Sequence, residues 1–140
     1  MHELETPEAA AVAAALARAL DADDFATVRS LLADGCVYET GREVHRGPEA
    51  IVGSYAGASA WARRAFDEVR YASEIAPATG AEVTVTFTDY LLKAGGRWHR
   101  HRCRQTFTVS GGRVARIVHH EIEGEREALD AYFRECGIER

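Results

Sequence analysis

No apolar run in this sequence approaches the roughly 20 residues that a membrane-spanning helix needs. The first residues, Met-His-Glu-Leu-Glu, are acidic and lack the basic-then-apolar layout of a secretory leader. Cysteine occurs three times, at Cys36, Cys103 and Cys136, far apart and without a CxxC pair. That pattern suggests neither a disulfide framework nor a thiolate zinc site. Three free thiols suit a reducing compartment, so a cytoplasmic protein is expected. Positive charge is in deficit: 17 Lys and Arg stand against 22 Asp and Glu, for a net charge of −5. Non-specific binding to nucleic acid or an anionic membrane therefore has no global electrostatic support. Internal repeats, low-complexity tracts and interdomain linkers are absent, which makes residues 1–140 a single domain. What is present is ordinary globular material, 46% hydrophobic and 28% charged.

Thr6-Pro7-Glu8 reads as a helix start, with a hydroxyl cap, proline at the first position and an acid near the positive dipole end. The alanine-rich run from Ala9 to Leu20 continues that helix. Asp21 to Asp24 breaks it and caps a second, in which Phe25, Val28, Leu31 and Leu32 fall at helical spacing and Gly35 ends the segment. Cys36 to Thr40 reads as a short strand, and Gly41 to Gly47 as a polar loop. Gly47-Pro48-Glu49 opens a third helix. Beyond Arg64 the period changes from helical to alternating. Strands are predicted over about 69–75, 81–92, 97–109 and 114–122, joined by glycine-rich turns. A last helix over 123–136 ends at Gly137. Helices segregated against a hairpin-linked sheet make an α+β domain. A strongly curved antiparallel sheet over the early helices would enclose a cone-shaped interior suited to a ligand.

The order of these elements resembles the NTF2-like superfamily, in its SnoaL-like and ketosteroid-isomerase-like branch. The resemblance is carried by Ala19-Leu20-Asp21-Ala22-Asp23-Asp24-Phe25, by Leu31 to Glu39, by Gly47-Pro48-Glu49-Ala50-Ile51 and by Val109 to Ile117. It covers nearly the whole chain. It implies the cone fold, a small hydrophobic ligand, and a homodimer formed through the outer sheet face. It implies no single activity, because isomerases, dehydratases, cyclases, epoxide hydrolases and non-catalytic binders share the scaffold. Steroid isomerases of the family use a carboxylate base and an oxyanion hole made of a tyrosine and a protonated aspartate. Their tyrosine falls on Leu16, their base on Thr40 and their aspartate on Gln105. Leucine has no donor and threonine is no base near neutral pH, so the ordinary isomerase mechanism is not expected. Gln105 can still donate from its amide, and Tyr55 matches a supporting tyrosine that faces the pocket.

Strand alternation sorts the remaining candidates. The resemblance puts Gln105 inward, and alternation then places His99, His101, Cys103 and Phe107 on its face. The same resemblance turns Ile117, His119 and Glu121 of the last strand inward, and Tyr38 and Thr40 would point inward from the first. For Ala81 to Leu92 the register is open by one residue, so either Asp89 or Tyr90 faces the cavity. Imidazoles beside a carboxylate suit proton transfer near neutral pH. The expected roles are His101 or His119 as base, Glu121 or Asp89 orienting it, and Tyr38 or Tyr55 polarising a substrate oxygen. Leu16, Thr40, Val52, Tyr55, His99, Cys103, Gln105, Phe107 and Ile117 would line the pocket. No cofactor is required by this scheme. His99-x-His101 with His119 also has a spacing that permits a metal, a lesser alternative. Arg100, Arg102 and Arg104 form a stripe on the opposite face, where Glu68, Glu74 or Glu82 on neighbouring strands would pair with them. Two functional readings stay open: a cofactor-free isomerase, dehydratase or cyclase acting on a hydrophobic cyclic or polyketide-like molecule, and a non-catalytic binding or dimerisation module.

Overall fold

The computed structural model describes residues 2–139, with residues 2–6 described in backbone alone. Among the described residues are four helices and six strands: α1 (His2–Asp21), α2 (Phe25–Leu31), β1 (Leu32–Glu39), β2 (Val44–Arg46), α3 (Pro48–Ala65), β3 (Glu68–Ile75), β4 (Glu82–Leu92), β5 (Trp98–Ser110), β6 (Arg113–Glu121) and α4 (Glu125–Cys136). The strands form one open sheet in the order β2-β1-β6-β5-β4-β3. The α+β class is as expected, but the sheet is mixed: β1 runs parallel to β6 while its other pairings are antiparallel. The reason is connectivity. The chain leaves β1 and returns only after α3 and the β3–β4–β5 meander, a crossover long enough to bring β6 alongside in the same direction.

Three local expectations are corrected. The first helix begins at His2, so Pro7 lies inside it and not at its start. Proline's fixed φ is compatible with a helix, and the cost there is one missing N–H in the second turn. Residues 44–46 form β2 where a loop was expected, because Val37, Tyr38 and Glu39 pair antiparallel with Arg46, His45 and Val44. The second helix stops at Leu31, and β1 starts at Leu32, before Gly35.

Ala9, Ala13, Leu16, Ala17 and Leu20 recur at helical spacing along one buried face of α1. The small alanines let the helix lie close against the sheet, where Val83, Val85, Phe107 and Ile117 complete the core. Asp24 caps α2 by accepting the Thr27 N–H at 3.3 Å and the Thr27 hydroxyl at 2.7 Å.

The last helix closes an edge. The pairing of β5 with β6 stops at Cys103–Glu121, so the start of β5 has no neighbour on that side. There α4 takes over: the Glu125 carboxylate accepts the Arg102 N–H at 2.6 Å. The buried Tyr132 hydroxyl donates to the Arg97 carbonyl at 2.7 Å, with the Leu91 carbonyl at 3.2 Å, and accepts the Lys93 N–H at 3.3 Å. A strand edge capped this way presents no free ladder to another chain. The contact also redirects the arginine stripe: Arg102 faces Glu125 at 3.8 Å, and Glu68 takes Arg70 at 2.6 Å. Of the expected pairings with Glu68, Glu74 or Glu82, that of Arg102 gives way to Glu125, and Glu68 is taken by Arg70.

Replacing Tyr132 by Phe keeps the packing and strips those backbone groups of a buried partner. The expected loss is about 1–2 kcal/mol of unfolding free energy, read by urea titration.

Candidate functional site

A cavity of about 560 Å³ lies between the inner sheet face and α1, α2, α3 and α4. Register settles which side chains reach it. Tyr71 on β3 stands opposite Asp89 on β4, and Asp89 stands opposite His101 on β5. One step further, Phe87 faces Cys103, and one more brings Gln105 opposite His119 on β6. The open question on β4 is thereby answered: Asp89 lines the cavity, and Tyr90 is 37% exposed on the outer face.

Gln105, 4% exposed, organises one end. Its carbonyl accepts the Tyr55 hydroxyl proton at 2.6 Å. Its amide donates to the Tyr38 oxygen at 3.0 Å and meets His119 Nδ1 at 3.3 Å. The two tyrosine rings stack, 5.1 Å apart and 8° from parallel. An amide N–H facing Nδ1 makes that nitrogen the acceptor and leaves the imidazole proton on Nε2. Burial pulls His119 below the ordinary imidazole range, against the opposing pull of Glu121. Burial lowers His101 likewise. Both rings are therefore neutral at pH 7. The Tyr38 phenol is pushed up to about 12, first by burial and then by the neighbouring thiol, so it stays a donor. The Cys103 thiol is pushed to about 12 by burial, with Asp89 adding to it, and is unreactive.

The other end is anionic. Asp89 is half-buried in the cavity wall, and among the described residues none donates a hydrogen bond to its carboxylate. Desolvation raises it to about 6, and the Asp21 carboxylate adds in the same direction. At pH 7 such a group is mostly ionised yet retains real proton affinity, as a general base requires. Phe25, Phe87, Leu91, Leu129 and Phe133 supply apolar wall between the two ends.

Of the residues singled out in the sequence, Tyr38, Tyr55, Asp89, His101, Cys103, Gln105 and His119 come together on the wall. Leu16, Phe107 and Ile117 face the same interior but are completely buried in the core and off the wall. Val52 packs half-buried against that core. Thr40 closes the β1–β2 turn, accepting the Glu43 N–H at 3.0 Å. His99 stacks on the Tyr132 ring at 4.7 Å beneath α4. Glu121 is exposed, held by Arg126 at 2.8 Å with His119 Nε2 3.7 Å away. Among the described residues no three His, Cys, Asp or Glu side chains are grouped to hold a metal ion. Geometry explains why: His119 lies opposite Gln105, four residues or roughly 13 Å along β5 from His101.

Sequence reasoning missed Asp21, Asp23, Ser59, Tyr71 and Arg126, which also line the cavity. Tyr71 had a signal, since it alternates with Val69 and Ser73 on a strand. Asp21 and Asp23 read as a helix end and nothing more.

Residues 12–117 match the SnoaL-like domain family, and the chain belongs to it. Its fold is that of the small-molecule-binding NTF2-like proteins. Among solved structures, an LEH-like epoxide hydrolase of M. tuberculosis is 26% identical over 97% of each chain, with a TM-score of 0.64. A putative polyketide cyclase of Xanthomonas campestris pv. campestris is 15% identical, covering 94% of this chain and 98% of its own, with a TM-score of 0.68. Another from Sinorhizobium meliloti is 20% identical, covering 78% and 93%, with a TM-score of 0.59. No curated protein matches the chain. No helix among the described residues is long and apolar enough to cross a membrane.

The raised Asp89 carboxyl has a stability consequence. A group held protonated by the fold contributes stability that is complete below its unfolded value near 4 and is lost as pH rises through about 6. Asp89→Asn cannot ionise. The variant is expected to be more stable than the parent by about 2–3 kcal/mol at pH 8, at ~1.4 kcal/mol per pKa unit. That advantage should vanish below about pH 4, as denaturant titrations at the two pH values will read.

Proposed function

We propose that the cavity performs cofactor-free acid–base chemistry on a compact hydrophobic molecule, cyclic or polyketide-like, of the isomerase, dehydratase or cyclase type. The single observation that carries this reading is a half-buried carboxylate, Asp89, that no donor among the described residues serves, in the same cavity as a tyrosine hydroxyl, Tyr38, whose oxygen is already fed by Gln105. A hydroxyl that accepts from Gln105 keeps its own proton for a ligand oxygen. Asp89 takes a proton from carbon next to a carbonyl, and the C–H electron pair moves through carbon to the carbonyl oxygen. Tyr38 O–H and His119 Nε2–H stabilise the resulting oxyanion. Return of the proton to another carbon isomerises the substrate. Expulsion of a β-hydroxyl with that proton dehydrates it. His101, across from Asp89, serves as a second proton carrier, and Glu121 stands at the rim, its carboxylate held by Arg126 and beyond hydrogen-bond reach of His119 Nε2. The Leu129 and Phe133 side chains of α4 extend the apolar wall.

The outer sheet face, where Tyr90 and Trp98 are 37% and 41% exposed on adjacent strands, is assigned as the homodimer surface. Three free thiols accord with a cytoplasmic setting.

The reaction is tested with alicyclic ketones and β-hydroxyketones in deuterated water, following deuterium uptake and loss of water by mass spectrometry. Wild-type protein is expected to exchange α-hydrogens, Asp89→Asn to lose on the order of a hundredfold or more, and Tyr38→Phe a similar factor. Saturable binding by wild type without exchange or water loss would leave the non-catalytic binding module as the correct reading.

A further inference from the structure

The wall around Tyr71 carries a polarity that proton transfer alone does not require. It begins at Asp23, which ends α1 with φ +54°, a left-handed conformation that normally selects glycine. The turn is a full helix stop, with Asp23 N–H on the Leu20 carbonyl at 3.2 Å and Asp24 N–H on the Ala19 carbonyl at 2.9 Å. A side chain at this strained position has a use here. Both Asp23 carboxylate oxygens lie 2.9 Å from the Ser59 hydroxyl, and one takes Arg63 Nε–H at 2.9 Å.

Ser59 has one proton, and Asp23 receives it. The Ser59 oxygen, 3.0 Å from the Tyr71 hydroxyl, therefore accepts from Tyr71. The Tyr71 proton is thereby turned onto Ser59, and the phenol oxygen faces the cavity with lone pairs only. Two residues along β3, the Ser73 hydroxyl donates to one Asp21 oxygen at 2.6 Å and leaves the other open. Asp89, across from Tyr71, has no donor among the described residues. The neighbouring cations are committed elsewhere. Arg63 serves Asp23 and the Val69 carbonyl, and lies over the Tyr71 ring at 5.2 Å. Arg126 holds Glu121 beside His119, at the opposite end. The result is an end rich in acceptors, where the neutral His101 across from Asp89 is the neighbouring N–H group and, among the described residues, neither Asp21 nor Asp89 has an ion-pair partner. A half-buried charge without a partner is costly, and the missing partner is a cation with N–H groups.

We propose that the molecule this cavity takes carries a protonated amine, seated between Asp21 and the Tyr71 oxygen, with its carbonyl or other acceptor oxygen directed to Tyr38 and His119. The assignment rests on the acid–base reading only in leaving Asp89 free beside the ammonium, facing the substrate carbon. Phe25 and Phe87 give the cation aromatic surroundings.

The test compares three molecules of one shape: adamantylmethylamine, adamantylmethanol and adamantanecarboxylate. Binding to the full chain is measured calorimetrically at pH 7.5. The amine is expected to bind at least about tenfold more tightly than the alcohol, or ~1.4 kcal/mol, and the carboxylate not to saturate. Asp21→Asn should bring the amine-to-alcohol ratio below about threefold, and Tyr71→Phe, which leaves both carboxylates in place, should lower it by less. An alcohol that binds as tightly as the amine, or a ratio unchanged in both variants, would overturn the proposal. Binding is read without turnover, so a failure of Asp89 as a base would appear in the deuterium assay and leave this ratio intact.

Discussion

The side-chain amide of Gln105 is the constraint on which the cavity depends. A buried primary amide has two donors and one carbonyl, and here all are used on different elements: Tyr55 of α3, Tyr38 of β1 and His119 of β6. Leaving any of them unpaired in an enclosed site costs about 1–3 kcal/mol, so the amide fixes the spacing of helix and sheet at that end. It also fixes proton direction. Tyr55 is committed to the amide carbonyl, Tyr38 keeps its proton for the interior, and His119 carries its proton on Nε2. On a half-buried wall, the direction of a proton decides what that wall can recognise.

The opposite end is organised by the same rule with the sign reversed. The Arg63–Asp23–Ser59–Tyr71 chain orients a phenol as an acceptor, and Asp21 and Asp89 add negative charge. A donor end and an acceptor end therefore face each other across apolar wall. Holding two carboxylates partly out of water opposes folding, and the proposed chemistry rests on that raised proton affinity. The scaffold that tolerates this is stiff: a long β4–β5 hairpin, an alanine-faced helix against the core, and α4 closing the edge of β5.

Much of this was legible in the sequence because alternation is a local property. The period of two on 97–109 and 114–122 placed His101, Cys103, Gln105 and His119 on one face. It could not say how far along the cone each residue lies, so Leu16, Phe107 and Ile117 looked like pocket lining but are core. Depth depends on which strand pairs with which, and so did the choice between Asp89 and Tyr90, which a one-residue slip exchanges. The parallel placement of β1 is equally non-local. Asp21, Asp23 and Ser59 join the site from helix ends and helix faces, where sequence shows capping chemistry and no cavity. Glu125 and Tyr132 gain their roles because β6 stops short of the start of β5, a length mismatch visible only in the paired sheet.

The account turns on Asp89 being a base poised near neutrality. The direct measurement is a titration of the aspartate side-chain carboxyl resonances by carbon-13 NMR, with Asp89→Asn assigning the signal. A midpoint near 6, moving lower in Asp21→Asn, is the expected result. A midpoint near 4, unmoved by Asp21→Asn, would show that Asp89 is an ordinary solvated carboxylate and would contradict the proposed chemistry.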